Sequence, residues 1–227
     1  MRIIRRLLST AALLILAAAA YGQSVAILGD SYSTYQGYIP KRNAVWYTEP
    51  ADLNKTDVTS VDQTWWSILV KECGYTLLLN DSYSGSTISF TGYHKADYSD
   101  RSFITRLPKL GNPDIILIFG CTNDSWAGVE AGEFKYEGIR REDLYTYRPA
   151  LAWLLAYAKM LYPEKAIYFL INDGLREDIT ESTKTICDHY GIPFIQLEGI
   201  DKKSGHPSVL GMQQIAGQVK EGIAAKK

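Results

Sequence analysis

Val25-Ala26-Ile27-Leu28-Gly29-Asp30-Ser31-Tyr32-Ser33 is a short apolar run that breaks into glycine, aspartate and serine. Four successive apolar residues read as a strand buried on both faces. The Gly-Asp-Ser that follows reads as a turn, with Gly supplying unusual backbone angles and Asp or Ser able to cap the next helix. A serine is thereby placed where a buried strand emerges into a loop. The same pairing recurs downstream. Residues 77–79 run into Asn80-Asp81-Ser82-Tyr83-Ser84-Gly85-Ser86, and residues 115–119 run into Gly120-Cys121-Thr122-Asn123-Asp124. Residues 167–171 and 194–197 complete five strand candidates.

Between the strands lie helical patterns. Residues 63–73 carry Trp66, Leu69 and Val70 at helical spacing, and residues 102–110 form a shorter helix interrupted by Pro108. Residues 142–161 form a long helix stopped by Pro163, residues 177–190 end at Gly191, and residues 207–224 make a last helix with Pro207 in its first turn. Strands alternating with helices predict an α/β fold, a three-layer α/β/α sandwich around a parallel sheet with right-handed crossovers. Ligands in such sheets bind outside the carboxyl ends of the strands. Ser31, Gly85 and Asn123 each follow a strand end, and His206, in Gly205-His206-Pro207, lies in a loop feeding the final helix.

The order and chemistry of these four blocks resemble the SGNH (GDSL-type) hydrolase family, over nearly the whole chain after its amino-terminal stretch. The resemblance implies a flavodoxin-like sheet of about five strands. It also implies that Ser31 is the nucleophile, His206 the general base, and Gly85 and Asn123 oxyanion donors beside the N–H of Ser31. A serine hydroxyl needs a neighbouring base at neutral pH, and attack on an ester places negative charge on an oxygen that preorganised donors can stabilise. Asp30 and Asp124 read as loop organisers. The chain departs from the family at the third triad member. The carboxylate usually three residues before the histidine is here Lys203. Asp201 reaches His206 if the Ser204-Gly205 loop folds back; otherwise a main-chain carbonyl or Ser204 orients the imidazole and the pair works as a dyad. Cys121 stands where relatives commonly carry glycine, and reads as packing at a strand end.

Arg2, Arg5 and Arg6, the apolar residues 7–20 and the small-x-small pattern Ala20-Tyr21-Gly22 read as a secretory signal peptide over residues 1–22, leaving one domain over residues 23–227. Its removal takes away three arginines and no acidic residue, carrying the formal charge from -1 to -4. That mild acidity argues against nucleic-acid binding. Three scattered cysteines make no disulfide framework. No zinc-ligand spacing, HExxH or phosphate-binding glycine loop occurs, so neither metal nor cofactor is implied. Aromatic residues crowd the loops after the strands: Tyr32, Tyr35, Tyr38, Trp46, Tyr47, Tyr83, Tyr93, Tyr98 and Trp126. Flat amphipathic side chains suit sugar rings. With secretion or a periplasmic location, they point to a carbohydrate O-acetylesterase acting on a small-molecule or polysaccharide ester, with no membrane partner. A lipase, lysophospholipase or thioesterase of the same superfamily is the alternative within hydrolases, and a silent glycan-binding protein the alternative outside them.

Overall fold

The computed structural model describes residues 22–226, so the signal-peptide reading lies, but for Gly22, outside the described residues. Strands β1 (Ser24–Gly29), β2 (Thr76–Ser82), β3 (Ile115–Gly120), β4 (Ala166–Ile171) and β5 (Phe194–Gln196) form one parallel sheet in the order β2-β1-β3-β4-β5. Because β1 lies between β2 and β3, the three strand ends that carry the serine, glycine and asparagine blocks are neighbours. Gly29 is opposite Ser82 on one side and Phe119 on the other.

Successive strand residues face opposite ways, which explains why these runs are apolar throughout. Val25, Ile27, Leu117 and Phe119 pack with Trp65 and Leu69 of helix α1 (Trp65–Cys73) and with Met212, Ile215 and Val219 near the carboxyl terminus. Ala26, Leu28, Ile116 and Ile118 pack on the other face. Their partners are Phe103 of the short α2 (Phe103–Arg106), Leu151 and Leu155 of α4 (Tyr147–Leu161), and Ile186 of α5 (Glu177–Tyr190). Between α2 and α4 the chain makes α3 (Thr122–Trp126), which leaves the end of β3 directly. Truncating Leu28, fully buried in the first of these strands, to Ala would cost about 2–5 kcal/mol in lost transfer energy and residual cavity. The result is the three-layer α/β/α sandwich that the alternating pattern predicts.

Several boundaries differ from the sequence reading. The helix predicted over residues 102–110 is α-helical only over Phe103–Arg106, and a tighter turn, Leu107–Lys109, takes in Pro108. Strand β2 continues through Ser82, because Asn80 satisfies its polar end by donating from Nδ2 to the Ser33 carbonyl at 2.8 Å. The long helix starts at Tyr147, after a tighter turn over Arg141–Tyr145 that breaks at Thr146 in extended backbone. The last helix, α6 (Val209–Ala225), starts two residues later than Pro207, with Ser208 accepting from the Gly211 N–H at 3.1 Å as its cap. Pro207 instead belongs to a small antiparallel hairpin, β6 (Lys202–Lys203) with β7 (His206–Pro207). Among the described residues no helix is long and apolar enough to cross a membrane.

Candidate active site

Ser31 opens a single tight turn, Ser31–Ser33, at the carboxyl end of β1. Asp30 caps that turn, its Oδ1 accepting the Tyr32 N–H at 3.0 Å. The Ser31 hydroxyl lies 2.9 Å from Nε2 of His206, 175 residues away in the chain. Burial pulls the His206 imidazole down to about 4, so it is neutral at pH 7 and able to accept a proton. Its other nitrogen, Nδ1, faces the Ser204 carbonyl at 3.2 Å. A carbonyl can only accept, so Nδ1 carries the hydrogen and Nε2 is left with its lone pair toward Ser31.

The hairpin explains how the chain achieves this without a carboxylate. Lys203 pairs with His206 across a two-residue turn in which Ser204 and Gly205 both have positive φ, 51° and 77°. Two positive φ values are the signature of the tight turn that matches strand twist. The turn aims the Ser204 carbonyl back at the imidazole two residues on. Tyr32 donates its hydroxyl to the Gly205 carbonyl at 2.7 Å and Tyr47 donates to the Pro207 carbonyl at 3.0 Å, clamping the hairpin from the β1 side. Asp201 is not brought to His206. Its carboxylate accepts from the Ser208 hydroxyl at the head of α6, because the hairpin carries its side chain toward that cap. Lys203 sends its ammonium to the Leu53 carbonyl at 2.8 Å.

The N–H groups of Ser31 and Gly85 meet no acceptor among the described residues, and the third donor sits close by. Asn123 donates from Nδ2 to the Ser86 carbonyl at 3.0 Å and accepts at Oδ1 from the Tyr93 hydroxyl at 2.8 Å. The Ser86 carbonyl fixes which way the amide points, and the second N–H of Nδ2 remains for a ligand. Gly85 has φ of 82° with open space where a Cβ would stand, so its N–H can be approached closely. Asp124 accepts from the Ile88 and Ser89 N–H groups at 2.8 and 3.0 Å, tying the loop after β2 to the first turn of α3.

The model of the family described as GDSL-like lipase/acylhydrolase matches residues 23–223. The chain belongs to that family. This GDSL-like hydrolase is therefore an enzyme acting on ester bonds. It is 56% identical to a structure assigned to the GDSL-like lipases from Bacteroides ovatus, at a TM-score of 0.88 over 91% of this chain and 99% of that one. A second such structure, from Bacteroides uniformis, is 52% identical at a TM-score of 0.87, over 90% and 96%. At 17% identity an acetyl xylan esterase from Butyrivibrio proteoclasticus shares the fold, with a TM-score of 0.59 over 91% of this chain and 64% of that one. A comparison with curated protein sequences gave no match.

One residue of the hydrolase's site has no counterpart in the sequence reading. Arg106, 2% exposed, donates from Nη2 to the Gly29 carbonyl at 3.1 Å and to the Ser86 hydroxyl at 2.9 Å, from Nη1 to the Asp81 carbonyl, and from Nε to the Arg101 carbonyl at 2.9 Å. It thus joins the end of β1 to the loop that carries Gly85. Burial lowers it to about 10, so it stays protonated beside Asp81. Nothing in the segment 102–110 but a charge among apolar neighbours signals this. Cys121 adopts φ of 65° and is buried in the core, which shows why a glycine suits the position and leaves the cysteine in packing. His189 stacks on Tyr136 at 3.8 Å and His94 lies in the Tyr93–Lys95 turn. Of the loop aromatics, Tyr32, Tyr35 and Tyr47 are buried rather than offered to a ligand, since their hydroxyls hold main-chain carbonyls. Among the described residues no cluster is placed to hold a metal ion.

Proposed function

We propose that the hydrolase is an exported serine esterase that removes short O-acyl groups, acetyl above all, from carbohydrate. The observation that carries the mechanism is the 2.9 Å contact between Ser31 Oγ and His206 Nε2, with His206 neutral and correctly tautomerised. His206 takes the Ser31 proton as Oγ bonds to the acyl carbon, and the carbonyl oxygen becomes an oxyanion. The N–H groups of Ser31 and Gly85 and the amide of Asn123 face that oxygen, and each such donor is worth about 3–4 kcal/mol of barrier. The imidazolium then protonates the departing sugar alkoxide, leaving Ser31 acylated. Water, deprotonated by His206, attacks the acyl carbon, and Ser31 leaves with the proton.

The substrate class rests on the shape and polarity of the surroundings. Ser31 and His206 are only 3% and 6% exposed, which favours a small acyl group over a long chain. A polar cleft of 290 Å³, lined by Arg42, Asn43, Tyr83, Arg101 and Lys109 among others, borders Tyr83 at the head of the Gly85 loop and suits a hydroxylated leaving group. Trp126, 43% exposed, lies close to perpendicular to His206, so a partly exposed aromatic side chain of the kind that suits a sugar stands beside the base. Export rests on the amino-terminal sequence alone. Acetylated xylan, acetylated monosaccharides and aryl esters of rising acyl length test the reading. Acetyl-sugar turnover with acetate preferred to octanoate supports it; activity rising with acyl length and inert acetyl-sugars replace it with a lipase-like enzyme.

A further inference from the structure

His206 is enclosed by three aromatic rings, and one of them is arranged unlike the others. Tyr32 and Trp126 meet the imidazole tilted or edge-on, at 5.3 and 5.8 Å between centroids. Trp46 lies flat on it, with centroids 3.5 Å apart and planes within 10°. The stack is tied to the nucleophile's own backbone. The Trp46 N–H donates to Thr34 Oγ1 at 2.9 Å, and the Thr34 hydroxyl donates to the Ser31 carbonyl at 3.0 Å. On its other side the Ala44 carbonyl accepts from the Ser84 N–H at 2.9 Å, joining the same segment to the Gly85 loop.

Two neutral aromatic rings prefer to stack offset or edge to face. A face-on stack gains when one ring becomes a cation, because the indole face is negative. The contact is therefore stronger with imidazolium than with imidazole, and imidazolium exists only after His206 has taken the serine proton. Differential stabilisation of that kind lowers the barrier without tightening the ground state. We propose that Trp46 is a positioning residue that supplies here what a carboxylate supplies in a triad, fixing the plane of the His206 ring and stabilising its protonated form. This rests on the Ser31–His206 reading above. The other groups facing the ring do not supply it: the Ser204 carbonyl is neutral, Lys202 opposes the positive charge, and the Tyr32 hydroxyl is committed to Gly205; the carboxylate of Asp201 is turned away to Ser208.

Trp46→Phe keeps a smaller aromatic face and Trp46→Leu keeps apolar cover with none. With p-nitrophenyl acetate, kcat should fall a few-fold in Trp46→Phe and about 10- to 30-fold in Trp46→Leu, the size expected of a desolvated cation–aromatic contact, with KM little changed. The His206 imidazole resonance should titrate at progressively lower pH from Trp to Phe to Leu. Equal kcat in the Phe and Leu variants, or titration at higher pH in Trp46→Leu, would overturn the proposal by showing that the indole only excludes water. Should Trp46→Leu fail to fold, site-specific incorporation of 5-fluorotryptophan at position 46 alone, leaving Trp126 unaltered, keeps the shape while weakening the face, and must move the titration down in pH. Because the titration needs no turnover, a wild type that cleaves no ester but titrates in the stated order removes the esterase reading and leaves the stack standing.

Discussion

Nδ1 of His206 points at the main-chain carbonyl of Ser204, 3.2 Å away, and not at the carboxylate of Asp201. A backbone acceptor fixes the imidazole tautomer as well as a carboxylate does, but it brings no charge to balance the imidazolium. It also cannot be removed by mutating a side chain. The basicity of the site then depends on the hairpin, on the rings around His206 and on its burial.

Ser31→Ala and His206→Ala should each lower kcat by several powers of ten, since nucleophile and base act as a unit. Asn123→Ala should lower it roughly 10²- to 10³-fold. Stopped or continuous assay with p-nitrophenyl acetate measures all three, and a loss below tenfold in either of the first two would contradict the assignment.

Asp201→Ala should leave kcat within about threefold of wild type. What it removes is the acceptor of the Ser208 hydroxyl at the start of α6, so the effect should appear as a lower melting temperature, corresponding to about 1 kcal/mol. A loss of rate comparable to His206→Ala would restore Asp201 to the catalytic set.

The acid limb of kcat/KM reports the free enzyme's base. With His206 held down to about 4 by burial, the profile should be flat from about pH 5.5 to 8 and fall only near pH 4. A midpoint near the ordinary histidine value of 6.5 would mean that the ring is solvated in the working enzyme.

Asp30 is buried, one of its oxygens, Oδ2, has no partner among the described residues, and burial raises it to about 7. A carboxyl whose folded value lies above its unfolded value stabilises the fold below the unfolded value and loses that contribution as pH rises through the folded one. Asp30→Asn can still accept the Tyr32 N–H, so its advantage over wild type in melting temperature should grow between about pH 4 and pH 7. Comparing the two proteins at each pH cancels the opposite contribution of His206, whose lowered value costs stability as pH falls from 6.5 toward 4.

Ser204 sits in left-handed backbone that asparagine tolerates better, and Asn-Gly is the preferred pair for a tight hairpin turn. Ser204→Asn should raise stability by up to about 1 kcal/mol and leave kcat unchanged, because only the main-chain carbonyl of this residue touches His206. Thermal melting and steady-state rates decide it.

The sheet was legible because each strand is apolar on both faces and ends in a polar turn. That same rule located Ser31, Gly85 and Asn123 at strand ends, and the structure brings them together through Arg106 and Asp124. The hairpin was not legible. Two-residue strands carry no periodicity, and Ser204-Gly205 lacks the asparagine that advertises such a turn, so Pro207 reads as the first turn of a helix. Nor could sequence show that Tyr32 and Tyr47 spend their hydroxyls on the carbonyls of Gly205 and Pro207, because those contacts span 173 and 160 residues. Arg106 hides for a related reason: its value lies in four acceptors, three of them on other segments of the chain.

The most direct test is hydrolysis of p-nitrophenyl acetate, butyrate and octanoate by residues 23–227, beside the Ser31→Ala variant. The account predicts acetate turnover that falls with acyl length and is abolished by the substitution; equal rates from both proteins would contradict it.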